Sequence, residues 1–281
     1  MAGERTIDVA VTRVRGERLA AGTDALAVEA PLEIRVRAPG MLAPRTVSVT
    51  MRTPGDDAEL AVGLLVAEGL VRDRAEVVDV RQCDPGAVRV TLAGAVDLST
   101  LERSGVTTSA CGVCGKTSRD ALRPTAAWPL ADDAPAIDAS LVHTLPGLLR
   151  EAQAVFDRTG GLHAAGLFDA SGALLCLRED VGRHNAVDKI VGAQLLAGAL
   201  PARDRVLLVS GRASYELALK AVMAGIPVLA AVGAPSSLAV SLAVECGLTL
   251  LGFVRDDRYN VYAGAGRVAG PSPIMNEAST R

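Results

Sequence analysis

The chain has 281 residues, of which 49% are hydrophobic and 22% charged, with a formal net charge of −3. This apolar fraction is sufficient for a packed core, so the composition excludes an intrinsically disordered chain. The negative net charge and the 2% content of aromatic residues argue against a nucleic-acid-binding protein.

The chain lacks the patterns of secreted and membrane proteins. The first 22 residues are rich in arginine and contain no apolar core, so no secretory signal is expected. The most apolar segment, residues 236–254, contains Glu245 and Gly247 and is typical of a helix followed by a strand. Five cysteines, with only Cys111 and Cys114 close together, are typical of a reduced protein. We therefore expect a cytoplasmic protein with no membrane partner.

Residues 1–98 predict a small α+β domain. Strands are expected over residues 31–37 and 46–51, and Thr53-Pro-Gly-Asp-Asp57 predicts the N-cap of a helix over residues 59–70 that ends near Gly69. A further pair of strands, residues 77–83 and 87–92, flanks the hairpin signature Asp84-Pro-Gly86.

Residues 99–136 predict a loop and linker. Small residues dominate residues 99–118, a composition that buries little apolar surface and is typical of an exposed, mobile loop. Three prolines within residues 124–135 mark the linker that follows.

Residues 137–281 predict an α/β domain. A helix over residues 138–158, bent or broken near Pro146, precedes two strands around Asp169-Ala-Ser-Gly172. Helices and strands then alternate, with helices over residues 182–197, 214–224 and 236–245 and strands over residues 206–210, 228–232 and 248–254. This alternation predicts a largely parallel sheet that is covered by helices on both faces.

Cys111-Gly-Val-Cys114 is the strongest chemical signal in the chain. Lys116, Arg119 and Arg123 follow it, and neighbouring cations favour the reactive thiolate. A structural zinc pair is disfavoured because no second Cys or His pair has the required spacing. A thioredoxin-like redox pair and a thiolate that receives and hands on a sulfur atom are not separated by these residues. Cys83, Cys176 and Cys246 are expected to be buried and inert.

Three turns at the expected carboxyl ends of strands predict an anion site. They span residues 180–185, 210–214 and 233–237, and each opens a helix whose free N–H groups and dipole attract phosphate. For any single turn, ordinary capping is the simpler explanation. The three turns together, with Arg183 and Arg212 as bidentate donors, favour a phosphate-bearing ligand.

A charged segment follows the last predicted strand. Arg255 and Arg258 are suited to phosphates, and Asp256 and Asp257 are acceptors suited to the N–H edge of guanine. A solvated charged turn is an equally good interpretation of these four residues.

Six stretches of the chain, in order within residues 24–268, resemble the formate dehydrogenase accessory sulfurtransferase family (FdhD). They are Arg52-Thr-Pro-Gly-Asp-Asp-Ala-Glu-Leu-Ala-Val-Gly63, Ser109-Ala-Cys-Gly-Val-Cys-Gly-Lys116, Thr159-Gly-Gly-Leu-His-Ala-Ala165, Arg178-Glu-Asp-Val-Gly-Arg-His-Asn-Ala-Val-Asp-Lys189, Val209-Ser-Gly-Arg-Ala-Ser-Tyr-Glu216 and Ala234-Pro-Ser-Ser-Leu-Ala239.

The resemblance implies a sulfur carrier. Proteins of this family take sulfur from a cysteine desulfurase as a cysteine persulfide and deliver it to the molybdenum cofactor, as bis(molybdopterin guanine dinucleotide), before its insertion into formate dehydrogenase. Cys111 would hold the persulfide, and Cys114 would assist or resolve it. The implied cofactor-binding residues are Phe253, Val254, Arg255, Asp256, Asp257 and Arg258, to which the second turn adds Arg212 and Ser214.

Two alternatives to sulfur transfer stay open. The first is a non-covalent chaperone that binds the molybdenum cofactor without handling sulfur. The second is a disulfide reductase, which the glycine-rich setting of the cysteine pair disfavours. The expected partners are the desulfurase and formate dehydrogenase, and a homodimer is suggested only by analogy.

The family's larger domain is similar to the cytidine deaminase fold, which introduces a rival enzyme class. Zinc deaminases require H-x-E and P-C-x-x-C at two helix N-termini. The corresponding turns here are His184-Asn-Ala186 and Ser210-Gly-Arg-Ala-Ser214, which lack the glutamate and both cysteines. We therefore expect neither zinc nor hydrolytic deamination.

Overall fold

The computed structural model describes residues 4–98, 128–130 and 136–270. Its first element is an antiparallel hairpin of β1 (Thr6–Arg15) and β2 (Arg18–Ala27). This hairpin is absent from the predicted elements, although Ile7, Val9 and Val11 alternate with polar or small residues in the period of a strand.

The remainder of the N-terminal region is a four-stranded sheet with one helix. The elements are β3 (Ala30–Arg37), β4 (Arg45–Arg52), α1 (Asp57–Ala67), β5 (Val77–Asp84) and β6 (Ala87–Leu92), and the strand order is β4-β3-β6-β5. β3 runs parallel to β6, whereas the two outer pairs are antiparallel. The predicted α+β character and the hairpin at Asp84-Pro-Gly86 are confirmed.

The C-terminal region is built on a six-stranded sheet. Its elements are β7 (Ile137–Asp138), α2 (Ala139–Ala152), α3 (Ala154–Thr159), β8 (His163–Asp169), β9 (Leu174–Asp180), α4 (Arg183–Leu196), β10 (Arg205–Val209), α5 (Tyr215–Met223), β11 (Val228–Ala231), α6 (Ser237–Cys246), β12 (Thr249–Gly252), β13 (Asn260–Ala263) and β14 (Val268–Ala269). β7 and β14 form a separate short parallel pair. A short 3-10 helix, Ala265–Arg267, precedes β14.

The large sheet is mixed, which corrects the prediction of a largely parallel one. Its strand order is β13-β12-β11-β10-β8-β9. Two of its pairs are parallel, β10 with β11 and β11 with β12. The other pairs are antiparallel because β8 and β9 form a hairpin at Gly172 and β13 folds back on β12. β9, β10, β11 and β12 nevertheless point the same way, so their carboxyl ends share one edge of the sheet.

The predicted break of the first helix of this region lies elsewhere. Pro146 is accommodated inside α2, and the chain leaves helical geometry at Gln153, where ψ is 72°. α3 begins directly after this residue. The first helix is therefore divided by a backbone turn at Gln153 and not by the proline.

One hydrophobic cluster joins the two regions. It contains buried side chains of β3, α1, α4 and the six-stranded sheet, among them Leu32, Leu60, Leu65, Ile190 and Leu207. A second cluster covers the opposite face of the six-stranded sheet with α2, through Leu145 and Leu149. The predicted domain boundaries at residues 98 and 137 stay a prediction, since the two regions share one hydrophobic cluster.

Among the described residues, no helix has the length and apolar character needed to cross a membrane.

Candidate functional site

The three predicted anion-binding turns meet at the carboxyl edge of the six-stranded sheet. The second and third turns are hydrogen-bonded to each other, with Gly233 N donating to Gly211 O at 2.9 Å and Ser236 N donating to Ala213 O at 2.9 Å. α5 and α6 therefore begin side by side, and both are capped, by Ser214 and Ser236. We call the space bounded by residues 180–185, 210–214 and 233–237 the crevice.

His184 joins the first turn to the second. Its Nε2 lies 2.8 Å from Glu216 Oε2 and 3.3 Å from Ser214 Oγ. Burial is the largest influence on the Glu216 carboxyl and favours its neutral form, but the hydrogen bond from His184 and the charges of His184, Lys220 and Arg183 together outweigh burial and lower the pKa of Glu216. The N-termini of α4 and α5 are thus held together by a hydrogen-bonded acid–imidazole pair.

Arg183, in the first turn, carries an unsatisfied hydrogen-bond donor. Its Nε is buried, and within residues 4–98, 128–130 and 136–270 no group accepts a hydrogen bond from it. Arg183 and His163 both lie beside Gly211, where a Cβ would be 3.4 Å from His163 Nδ1 and 3.8 Å from Arg183 Cδ, within ordinary van der Waals contact. A buried donor without an acceptor is costly, whereas the rest of the Arg183 guanidinium is partly exposed and is suited to binding an anion.

A buried ion pair fixes the backbone that leads into α4. Asp180 and Lys189 are both 0% exposed, and Lys189 Nζ lies 2.8 Å from Asp180 Oδ2. The other carboxylate oxygen accepts from Gly182 N at 2.8 Å and from Asn185 Nδ2 at 2.9 Å. The turn before α4 is therefore held rigidly before any ligand binds.

The same ion pair reaches the N-terminal region through Thr53. Thr53 N donates to Asp180 Oδ2 at 3.1 Å, and Lys189 Nζ donates to Thr53 O at 3.0 Å. The sequence motif from Thr53 to Asp57 predicts a helix cap and does not indicate this connection. In the structure, Asp56 makes no side-chain cap, and Asp57 accepts a hydrogen bond from the buried Arg52 guanidinium at 2.8 Å.

The predicted cofactor-binding segment after β12 lies at the same edge of the sheet. Phe253 has a left-handed backbone, with φ of 54°, and its N donates to Gly233 O at 3.1 Å. The side chain of Val254 lies in the second hydrophobic cluster. The predicted cofactor-binding side chains that are exposed at this edge are Arg212, Phe253, Arg255, Asp256, Asp257 and Arg258. The structure thus brings Phe253, Arg212 and Ser214 to one edge.

The cysteines divide into two groups. Cys111 and Cys114 lie outside the described residues. Cys83 is exposed, which corrects the expectation that it is buried, whereas Cys176 and Cys246 are partly buried. Among the described residues, no cluster of three or more His, Cys, Asp or Glu side chains has the geometry to hold a metal ion.

His163, at the start of β8, is a crevice residue that the sequence analysis did not single out. Burial, followed by the charges of Arg183 and His184, lowers its pKa below the ordinary value of 6.5. The only sequence signal for it was its place in the stretch Thr159-Gly-Gly-Leu-His-Ala-Ala165.

We expect His163 to make the protein less stable in mild acid. Folding lowers the pKa of His163, so as the pH falls the unfolded chain takes up a proton on this residue before the folded chain does. The free energy of unfolding therefore decreases as the pH falls from about 6.5 to the lower pKa of the folded state. Urea unfolding from about pH 7.5 to pH 5 should give a shallower dependence on pH for His163→Gln than for the wild type. His143→Gln controls for the loss of an imidazole, and identical pH dependence in all three proteins would contradict the prediction.

Known proteins resemble this chain over nearly its full length. A sequence model of the FdhD/NarQ family matches residues 27–269. Proteins named "Sulfur carrier protein FdhD" include one from Streptomyces coelicolor, 53% identical over 271 residues (92% of this chain and 94% of the relative), and one from Saccharolobus solfataricus, 39% identical over 258 residues (92% and 96%). A crystal structure from Desulfotalea psychrophila, of a protein described as a putative formate dehydrogenase accessory protein, has a TM-score of 0.75 at 25% identity and covers 95% of this chain and 100% of its own. The chain belongs to the FdhD/NarQ family.

Proposed function

We propose that this chain is a sulfur carrier for formate dehydrogenase, which receives sulfur from a cysteine desulfurase on Cys111 and passes it to a molybdenum cofactor held at the crevice. The names of its relatives support the sulfur-carrier role. The observation that carries the second half of the proposal is the buried Arg183 Nε, which has no acceptor among the described residues and lies where three helix N-termini converge.

The sulfur transfer balances with the two cysteines. The Cys111 thiolate attacks the outer sulfur of the desulfurase persulfide, an S–S bond forms on Cys111, and the desulfurase thiolate leaves with the electron pair of the broken bond. Cys114 then attacks Cys111 Sγ, so the outer sulfur leaves as hydrosulfide for the molybdenum centre. The disulfide between Cys111 and Cys114 that remains is returned to two thiols by an external dithiol.

The substrate is a bis(molybdopterin guanine dinucleotide), and the crevice accounts for its anionic groups. Arg183 and Arg212 donate to phosphate oxygens, and the N-termini of α5 and α6 add backbone N–H groups. The exposed Asp256 and Asp257 accept from the N–H edge of a guanine. In this proposal the C-terminal region is a cytidine-deaminase-like domain in which an anion site replaces the zinc site.

Intact-protein mass spectrometry tests the proposal. After incubation with a cysteine desulfurase and cysteine, the wild type should gain one sulfur atom that reduction removes, and Cys111→Ala should gain none. Cys83→Ala is the matched control, because Cys83 is an exposed thiol outside the motif and its loss should leave the adduct intact. An adduct that persists in Cys111→Ala, or none in the wild type, would rule out sulfur carriage by Cys111 and favour a non-covalent chaperone.

A further inference from the structure

The outer face of the N-terminal four-stranded sheet carries a row of three arginines. Arg35 of β3 pairs in register with Arg89 of β6, and Arg89 pairs in register with Arg81 of β5. The residues on either side of Arg35 and Arg89 are buried in the hydrophobic core. Because side chains alternate between the two faces of a strand, the arginines lie on the face opposite the core.

The charges of this row are only partly compensated. Like charges directly opposite each other destabilise a sheet unless anions lie beside them. Arg35 forms an ion pair with Glu33, and Arg81 Nε lies 3.0 Å from Asp79 Oδ2. Arg89, between them, is partly exposed and forms no ion pair within the part of the chain that the structure describes. The middle cation of the row is therefore open to an external anion.

A fourth arginine extends the row along β3. Arg37 lies two residues after Arg35 on the same face, is exposed and has no ion pair with a described residue. Asp84 is the remaining acid near the row, and its Oδ1 already accepts from Gly86 N at 2.9 Å. We call the surface formed by Arg35, Arg37, Arg81 and Arg89 the arginine face. It is a local excess of positive charge on a chain whose net charge is −3.

The dimensions of the arginine face favour a protein partner over a small anion. The row spans two interstrand spacings, about 10 Å in all, which is too far for one carboxylate or one phosphate to bridge. Several anionic groups at fixed spacing are needed, as on an acidic protein surface. Leu42, in the loop that follows β3, is fully exposed beside this face. Arginines next to an exposed apolar side chain are typical of protein interfaces.

The position of the arginine face in the fold favours the sulfur donor as that partner. α1 covers the inner face of the sheet and packs against α4, whose N-terminus borders the crevice. A protein bound to the outer face therefore leaves the crevice free for the cofactor. β6, which carries Arg89, is also the last described strand before Cys111 in the chain.

We infer that the arginine face is a docking surface for the sulfur donor and that it recognises carboxylates on the donor. The inference rests on the proposed function, in which a cysteine desulfurase supplies the sulfur. It gives a role to the N-terminal region, where the sequence motifs indicate no binding residue.

The rate at which Cys111 gains sulfur tests this inference. With the desulfurase limiting, Arg37→Gln combined with Arg89→Gln should slow sulfur uptake by about tenfold, equivalent to about 1.4 kcal/mol, because removing interface charges lowers mainly the association rate. The final adduct of one sulfur should be unchanged. Arg72→Gln combined with Arg203→Gln is the matched control, since it removes two exposed arginines outside the arginine face and should keep the wild-type rate.

Ionic strength gives a second readout. Salt screens exposed charges, so raising NaCl from about 0.05 M to about 0.5 M should slow uptake by the wild type and by the control. It should slow uptake by the arginine-face variant less, and the difference between the variants should shrink.

Equal initial rates for the arginine-face variant and the control would overturn the inference. If the double variant does not fold, Arg37→Gln alone takes its place, with an expected slowing of about threefold. If the wild type gains no sulfur, the proposed function fails and calorimetric titration of the full chain with the desulfurase tests docking directly. Weaker binding by the arginine-face variant than by the control would then support the docking surface, whereas equal binding or none would exclude it.

Discussion

Replacing Gly63 or Gly192 by alanine should lower the free energy of unfolding by at least about 3 kcal/mol, as expected for severe overpacking. The two glycines lie where α1 crosses α4, and each faces backbone of the other helix. A Cβ on Gly63 would overlap the carbonyl of Asp188, and one on Gly192 would overlap the carbonyl of Glu59. Backbone atoms, unlike side chains, cannot move aside by changing rotamer. The two helices must therefore separate, which opens the core between the two regions.

A matched control for this prediction lies in α2. Gly147 is also a helical glycine, but a Cβ there meets no atom within 4 Å. Gly147→Ala should therefore leave stability unchanged or raise it by up to about 1 kcal/mol, because alanine favours the helix. Urea unfolding followed by circular dichroism measures all three variants. A loss below about 1 kcal/mol at Gly63 and Gly192 would show that the helices do not cross in backbone contact.

Lys189→Met should lower the free energy of unfolding by about 3–5 kcal/mol, the cost typical of removing one partner from a buried ion pair. The substitution keeps most of the side-chain volume but leaves Asp180 as a buried carboxylate without its cation. It also removes the donor to Thr53 O, so the contact between the two regions is weakened at the same point.

Two further variants separate burial from charge pairing. Arg81→Met removes the exposed pair of Arg81 and Asp79, whose atoms are 3.0 Å apart, and should cost no more than about 1 kcal/mol. Adding Asp180→Asn to Lys189→Met removes the isolated charge and should restore part of the lost stability. The prediction fails if Lys189→Met unfolds at the same urea concentration as Arg81→Met.

Local patterns were sufficient to predict most of the secondary structure. Apolar runs such as residues 206–209 and serines placed before apolar helices, such as Ser214 and Ser236, are signals contained within a few residues, and the corresponding elements are present. The convergence of the three turns followed from the rule that strands pointing the same way end at one edge.

Long-range pairing was less predictable, because it depends on partners far apart in the chain. The hairpin that places β8 between β9 and β10 makes the sheet mixed, and strand alternation alone does not indicate it. Thr53 and Asp180 are separated by 127 positions in the sequence, so no local pattern predicts the hydrogen bond between them.

The bonds made by Thr53 also imply thermodynamic linkage between the two regions. Its N–H and C=O belong to the N-terminal region, yet both are held by the ion pair that orders the start of α4. Because one ion pair holds both Thr53 and this turn, a substitution that loosens either of them should also loosen the other. The effects of such substitutions on the free energy of unfolding should therefore not be additive, although the positions lie in different regions of the chain.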